Sequence, residues 1–263
     1  MRESFQGTEL YKRTLADHHC EEDAPDANKE PRDRLRASLL SFRENAAAVV
    51  SRIAASIPFL TQHEVSHLDG LWNVADNIIG PDFPVNPLEA YVFGCAVLLH
   101  DAALCPEAYD GGLDGLRSSI AWKDAFAIEA QSCDVEDEAI AASDFSALRQ
   151  LNATQASKLG SMSWPGPDTN EPLFLIEDAH IRKHLSDLIG TIAASHHWSI
   201  EEVNSRFDTQ FNAPAEFPRE WRIDPVKVAC MLRCADAGHI NNDRAPDFLH
   251  ALLRRSEISF NHW

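Results

Sequence analysis

The sequence has little positive charge. It carries 23 lysine and arginine residues against 41 aspartate and glutamate residues, which gives a formal net charge of −18 over 263 residues. A surface of that sign repels the phosphate backbone of DNA and RNA, which argues against a broad nucleic-acid-binding face. A small phosphorylated substrate remains compatible with it, provided that a bound metal ion supplies positive charge locally.

Long hydrophobic runs and paired cysteines are also missing. The longest apolar run, VFGCAVLL before His100, is far shorter than the roughly 20 residues needed to cross a bilayer, and no signal-peptide pattern is present. None of the six cysteines forms a Cys-x-x-Cys pair, and Cys230 and Cys234 are expected to pack rather than to bind metal. These absences predict a cytoplasmic protein with reduced thiols and no membrane segment.

Residues 1–34 are predicted to form a flexible polar leader. The stretch EEDAPDANKEPRDR is polar, punctuated by proline and short of aromatic residues, so it can bury little apolar surface to offset the entropy of ordering. From Leu35 onward apolar residues recur at helical spacing, which predicts one helical domain over residues 35–263. Helical patterns cover residues 35–57, 63–79, 113–130, 136–160, 173–196, 199–207 and 224–240, with a loop over 163–172. Neither a convincing alternating strand nor a repeat is found, so the fold class is predicted to be all-α.

One further helix has the clearest start. In NPLEAYVFGCAVLLHDAAL, Asn86 can cap the helix, Pro87 suits the first turn, and Glu89 follows three residues after the cap. The run is almost entirely apolar until His100-Asp101, which predicts a helix that crosses the core and delivers this pair at its inner end.

A protease motif lies earlier in the chain. TQHEVSHLDGLWN, residues 61–73, contains His63-Glu64-Val65-Ser66-His67, which matches the zinc-protease pattern H-E-x-x-H. Such a site needs a third protein ligand, yet the extended motif's third position holds Asn73 and no methionine follows at a plausible turn. With twelve histidines in the chain a chance match is easy. A zinc protease is therefore a remote alternative.

A second set of residues suggests a metal site of another kind. Asp101 and Asp236 both interrupt strongly apolar helical patterns, and a buried aspartate needs a partner, for which a cation is well suited. Neutral imidazole ligands that suit a transition metal are available from four histidines: His67, His100, His196 and His197. The simpler alternative is a structural network of core histidines and carboxylates.

The order of these motifs resembles the HD superfamily of metal-dependent phosphohydrolases. The resemblance spans roughly residues 35–250 and is carried by HEVSHLDGLW, VLLHDAAL, AASHHW and LRCADAGHI. It implies a helical bundle with a divalent metal ion in its core, with Mn, Mg, Fe, Ni and Zn not distinguished. The implied ligands are His67, His100, Asp101 and Asp236. The same resemblance implies that His196 or His197 binds a second metal ion or the substrate phosphate.

A closer likeness is to HD domains that precede ATPase modules similar to the ninety-kilodalton heat-shock chaperones in bacterial proteins. It is carried by YDGGLDGLRSSIAWKDA (109–125) and LIGTIAASHHW (188–198). It implies a fused ATPase or a partner protein, with this chain as the N-terminal part of a longer one. Where Asn152 stands in SALRQLNATQASKL the resemblance leads us to expect a histidine, which puts a second metal ion in doubt.

The resemblance implies hydrolysis of a phosphate ester or anhydride, with a nucleotide as the leading substrate class. The metal ion would lower the pKa of a bound water, and Asp101 would position or deprotonate that water. Lys123, Arg233 and Arg244 are candidate cations for the substrate phosphate, although surface salt bridging explains a lone arginine more often. The main alternative is a non-catalytic nucleotide-sensing or regulatory module, which the asparagine at 152 favours.

Overall fold

Helices form most of the chain in the computed structural model, which describes residues 4–17, 26–56, 65–167 and 171–239. The α-helices in these ranges are α1 (Glu9–Thr14), α2 (Lys29–Val50), α3 (Ile53–Ser56), α4 (Val65–Ile79), α5 (Pro87–Leu99), α6 (Gly112–Ser118), α7 (Ile120–Glu129), α8 (Glu136–Leu159), α9 (Ala179–Ala194), α10 (Ile200–Arg206) and α11 (Pro225–Gly238). Short 3₁₀ turns cover Phe5–Gly7, Pro106–Ala108 and Ser195–His197. The prediction of an all-α fold is confirmed. Of the helices described here, none combines the length and apolarity needed to cross a membrane.

Helix α5 is the centre of the bundle. Its start follows the predicted pattern, since the Asn86 side chain accepts from the amides of Leu88 and Glu89 and the Glu89 carboxylate accepts from the Asn86 amide. Every residue from Leu88 to Leu99 is buried. Helices α2, α9 and α11 pack around it. Because α5 is apolar on all sides, it can only be stable when other helices enclose it, and it therefore ends deep in the core.

Helix α4 packs against α11 and ends as the sequence predicts. Leu68, Leu71, Trp72 and Ala75 are buried along one face. Gly80 follows the last helical residue with a φ of +69°, a left-handed conformation that glycine adopts without steric cost. The predicted start of this helix, at His63, lies outside the described residues.

Residues 4–17 do not behave as the predicted solvated leader. Thr8 caps α1, and Phe5, Leu10, Tyr11 and Leu15 are buried in the main core. The ring of Phe5 lies 5.5 Å from that of Trp72 on α4. The leader prediction was wrong here because these apolar residues find a partner surface that is distant in sequence.

The junction between α1 and α4 is also polar. The backbone amides of Glu9 and Leu10 each donate to the carboxylate of Asp76 on α4, both at 2.8 Å. Two amides at the start of α1 therefore gain an acceptor that their own helix cannot provide.

Helix α2 begins at Lys29, ahead of the boundary at Leu35 that apolar periodicity suggested.

Two other predicted elements differ in detail. The helix expected over 113–130 is divided into α6 and α7 at Ser119, whose hydroxyl accepts from the Trp122 amide and caps α7. The helix expected from residue 173 begins at Ala179, since Asp178 caps it.

The loop predicted over residues 163–172 contains a small hairpin. Strand β1 (Ser163–Pro165) pairs antiparallel with β2 (Pro172–Phe174). The indole of Trp164 donates to the Glu107 carbonyl at 3.1 Å, and the Arg182 guanidinium lies over the ring of Phe174. These side chains hold the two strands against the bundle. Because tertiary contacts stabilise the hairpin, its sequence shows no alternation of apolar and polar residues that could have predicted it.

Candidate metal centre

The predicted ligands come from different helices that meet at the inner end of α5. His67 lies in the first turns of α4, and His100 is the residue that caps α5 at its C-terminus. Asp101 follows directly, and Asp236 lies near the end of α11. The 3₁₀ turn after α9 brings His196 to the same place. The helix crossings therefore assemble residues that are far apart in the sequence.

Three of these residues are close enough to share one ion. The ligand atoms of His67, His100 and Asp101 all lie within 4.8 Å of one another. Nε2 of His100 is 3.1 Å from Oδ2 of Asp101. Oδ1 of Asp236 is 3.8 Å from Nε2 of His100 and 3.9 Å from Nε2 of His67, so it borders the same space. Both histidines are buried, with 0% of the His100 surface exposed.

Two histidine rings are oriented by the backbone. Nδ1 of His100 is 2.8 Å from the Val97 carbonyl, and Nδ1 of His196 is 2.6 Å from the Ala193 carbonyl. Since a carbonyl only accepts, each Nδ1 must carry its proton, and in a neutral ring Nε2 then keeps its lone pair. Both Nε2 atoms are buried, and each faces an oxygen of Asp101, at 3.1 Å for His100 and 3.7 Å for His196. Imidazoles held in this way are typical of metal ligands, so this donor set fits a divalent ion.

The charges of the site raise the pKa of His100. Burial alone would lower the pKa of this imidazole, but the carboxylates of Asp101 and Asp236 outweigh that effect and raise the pKa from 6.5 to about 9. In the metal-free protein the two carboxylates thus favour the protonated form of His100. A cation that binds Nε2 takes the place of this proton and of its interaction with the two carboxylates.

Asn152 contacts both members of the His100-Asp101 pair. Its Nδ2 donates to Oδ1 of Asp101 and to the His100 carbonyl, both at 3.1 Å. Nε2 of His196 lies 3.7 Å from the same Oδ1. The asparagine therefore occupies the position from which a histidine would face the carboxylate, and it offers that carboxylate an N–H donor.

His197 differs from His196 in its surroundings. Burial is the largest effect on it, and together with the positive charge of His196 it lowers the pKa of His197, against an opposing influence of Asp101. The buried Nε2 of His196 lies 3.7 Å from Asp101, and the ring of His197 lies 4.2 Å from that of His196, measured between centroids.

The candidate phosphate-binding cations are not equivalent. Arg233 donates to the Ser195 carbonyl at 2.5 Å, so it braces the turn that carries His196. Lys123 is exposed on α7, and Arg244 lies outside the described residues. Sequence reasoning passed over Arg149, an exposed residue on α8 whose positive charge contributes to the lowered pKa of His197. Its position one helical turn before Asn152 was the available signal.

The protease motif gains no support from this arrangement. His63 and Glu64 lie outside the described residues. His67 groups with His100 and Asp101, which belong to another part of the chain. Its surroundings are therefore those expected of the first histidine in an HD-type site.

A helical bundle in which a histidine, a following His-Asp pair and a distant aspartate border one space is the arrangement of an HD-type domain. A family model described as HD-CE matches residues 57–263, and the chain belongs to this family. Comparisons with curated proteins and with solved structures found no match. The chaperone-like ATPase neighbour stays a prediction.

Proposed function

We propose that the protein is a metal-dependent phosphohydrolase that acts on a phosphate ester or anhydride, with nucleotides as the first substrate class to test. The observation that carries this proposal is the convergence of His67, His100 and Asp101 within 4.8 Å in a buried site. Two buried imidazoles, whose Nε2 atoms border the same space as the carboxylates of Asp101 and Asp236, form a donor set for a divalent transition metal.

His67, His100, Asp101 and Asp236 would hold this ion. When bound, it supplies polarisation of a phosphoryl oxygen and lowers the pKa of a coordinated water. Mixed nitrogen and oxygen donors suit Mn, Fe, Ni or Zn better than Mg, which prefers oxygen ligands.

Asp101 is the residue assigned to proton transfer. Its Oδ2 faces His100, and its Oδ1 accepts from Asn152. Contacts on both oxygens fix the plane of the carboxylate, so that it can orient the attacking water and accept a proton from it. Asn152 acts here through Asp101 and is a positioning residue.

His196 is assigned to the substrate phosphate. Its buried Nε2 lies 3.7 Å from Oδ1 of Asp101, beside the space that the metal ligands border, which is where a substrate phosphate would lie. On a protein with a net charge of −18, an anionic substrate needs local positive charge, which Arg149 and Arg233 can add at this edge. With asparagine at 152, phosphate binding by His196 is favoured over a second metal ion.

A non-catalytic nucleotide-sensing module is the second candidate. The observation that favours it is the amide of Asn152, which takes the position of a potential ligand for a second ion and donates to Asp101 instead. Such a domain would retain the first metal ion and bind a nucleotide without turnover.

The test begins with metal analysis of the purified protein. Turnover is then assayed with Mn²⁺, Mg²⁺, Ni²⁺, Fe²⁺ and Zn²⁺ against nucleoside triphosphates, cyclic nucleotides and an aryl phosphate diester. The proposal predicts that Asp101→Ala lowers kcat by at least about 100-fold, because the substitution removes both a metal ligand and the proposed general base. Asp208→Ala, at an exposed aspartate outside the cluster, should leave kcat unchanged.

Asn152→His separates the two candidates. Nucleotide binding without turnover for the wild-type chain, together with turnover gained by Asn152→His, would establish the sensing module. A wild-type chain that binds no divalent ion would contradict both candidates.

A further inference from the structure

His239 contacts a predicted metal ligand but belongs to none of the predicted sets. It follows the last residue of α11, and its backbone N–H donates to the Asp236 carbonyl at 3.2 Å. The side chain is buried, and its Nδ1 lies 2.7 Å from Nδ1 of His67 on α4. The ring centroids are 4.8 Å apart and the ring planes differ by 27°, so the two rings meet edge to edge through these nitrogens. This contact joins the helix that carries His67 to the helix that carries Asp236.

The opposite helix makes room for this ring. A Cβ atom placed on Gly70 would lie 2.4 Å from Nε2 and 2.7 Å from Cε1 of His239, which is closer than any side chain tolerates. A glycine within a helix costs about 1 kcal/mol relative to alanine. Gly70 lies within α4, one turn after His67. Gly70 therefore lowers the intrinsic stability of α4, and the imidazole of His239 fills the space that a larger side chain would occupy.

The short distance between the two nitrogens constrains their protons. Two imidazole nitrogens at 2.7 Å form a hydrogen bond only if one carries a proton and the other presents a lone pair. For Nε2 of His67 to bind an ion, the proton of His67 must lie on Nδ1, which makes it the donor and Nδ1 of His239 the acceptor. At His100 and His196 a backbone carbonyl accepts the Nδ1 proton instead.

We infer that His239 is a positioning residue of the metal centre, which holds the His67 ring and fixes its tautomer so that Nε2 faces the ion. The inference rests on the proposed metal site and assigns the acceptor for its first histidine. Removal of a hydrogen-bond partner that orients a metal ligand typically weakens metal affinity by about 10- to 100-fold.

The test compares three variants by titration of the metal-free protein with Co²⁺, followed by absorption, and with Zn²⁺, followed by calorimetry. His239→Phe keeps a ring over Gly70 but removes the acceptor, and we expect its dissociation constants to rise about 10- to 100-fold. His239→Asn places an amide oxygen near the position of Nδ1 and should keep the affinity within a few fold of wild type. His184→Phe, at an exposed histidine on α9, is the matched control and should bind as wild type does.

A spectroscopic readout detects the hydrogen bond itself. In Zn²⁺-loaded wild-type protein with ¹⁵N-labelled histidine, His67 should show a proton on Nδ1 that exchanges slowly with solvent. This signal should be absent in His239→Phe and present in His184→Phe. A His67 ring that carries its proton on Nε2 in the loaded protein would overturn the inference.

Gly70→Ala tests the steric part. Its methyl group should displace the His239 ring and weaken ion binding about as much as His239→Phe does. In a His239→Ala background the same methyl group meets an empty space, so Gly70→Ala should then change ion affinity by less than about twofold. Equal effects in both backgrounds would overturn the assignment of that space to the ring.

The remaining outcomes are distinct. If wild type binds an ion, His67→Ala abolishes binding and His239→Phe binds as wild type does, the positioning role is wrong and the proposed function stands. If wild type binds no ion under any condition, the proposed metal site fails and this inference fails with it.

Discussion

The buried carboxylate of Glu89 joins the two helices that carry His100 and Asp236. It accepts from the Asn86 amide at the start of α5 and, at 3.0 Å, from the Asp224 amide that precedes α11. Lys227 completes the contact, with Nζ 2.6 Å from Oε2. Glu89→Gln removes the charge while it keeps the size and shape of the side chain.

The expected loss follows from these contacts. A glutamine retains one acceptor oxygen but turns an NH₂ group toward an N–H donor, so one backbone bond and the ion pair are lost. A hydrogen bond to a charged group contributes about 1.5–3 kcal/mol, and breaking a buried pair costs about 3–5 kcal/mol. The Lys227 side chain is 21% exposed and also donates to the Pro84 carbonyl, so part of this is recovered. We expect the free energy of unfolding to fall by about 2–4 kcal/mol.

Urea denaturation at pH 7 measures this change, and the chain supplies a matched control. Glu202 occupies the same position of a second capping box, at Ser199 on α10, but its side chain is 48% exposed. Glu202→Gln should cost less than about 1 kcal/mol, because surface interactions of this kind contribute little. A loss of less than about 1 kcal/mol for Glu89→Gln, or equal losses for the two variants, would refute this reasoning.

Three further predictions concern pH, the protease motif and the N-terminal segment. The pKa of His100 is raised from 6.5 to about 9 in the metal-free fold, so its stabilising contribution should be complete below pH 6.5 and lost as pH rises through 9, measured by urea unfolding. Ion affinity, measured by Zn²⁺ titration, should rise by up to about tenfold per pH unit over the same interval, since the ion displaces this proton; no rise would contradict it. Glu64→Gln should leave metal content and phosphohydrolase activity within about twofold of wild type, whereas a zinc protease would lose its general base. Asp76→Ala should lower the free energy of unfolding by about 1–2 kcal/mol and speed proteolysis of α1 with ion affinity unchanged, and equal proteolysis rates would argue against it.

Local signals predicted the helices whose ends are specified by neighbouring residues. Asn86, Pro87 and Glu89 determine where α5 begins, and Asp224 before Pro225 does the same for α11. Each signal acts within one helical turn, so it can be recognised without knowledge of the fold.

Features that depend on tertiary partners could not be predicted in this way. Phe5 becomes a core residue only because Trp72 lies beside it in the folded chain. His239 lies 172 positions from His67, and nothing in either local sequence marks the contact. Four motifs in a known order suggested which ligands meet, whereas the interactions that orient them required coordinates.

The packing of residues 4–17 bears on where a recombinant fragment should begin. The family match starts at residue 57, yet α1 and α2 lie before that point and cover α4 and one side of α5. A fragment cut at the edge of the match would expose Trp72 and one flank of α5 to water, an apolar patch of the kind that drives self-association. A fragment that begins at residue 4 keeps α1 and α2, which pack against the helices that carry His67 and His100.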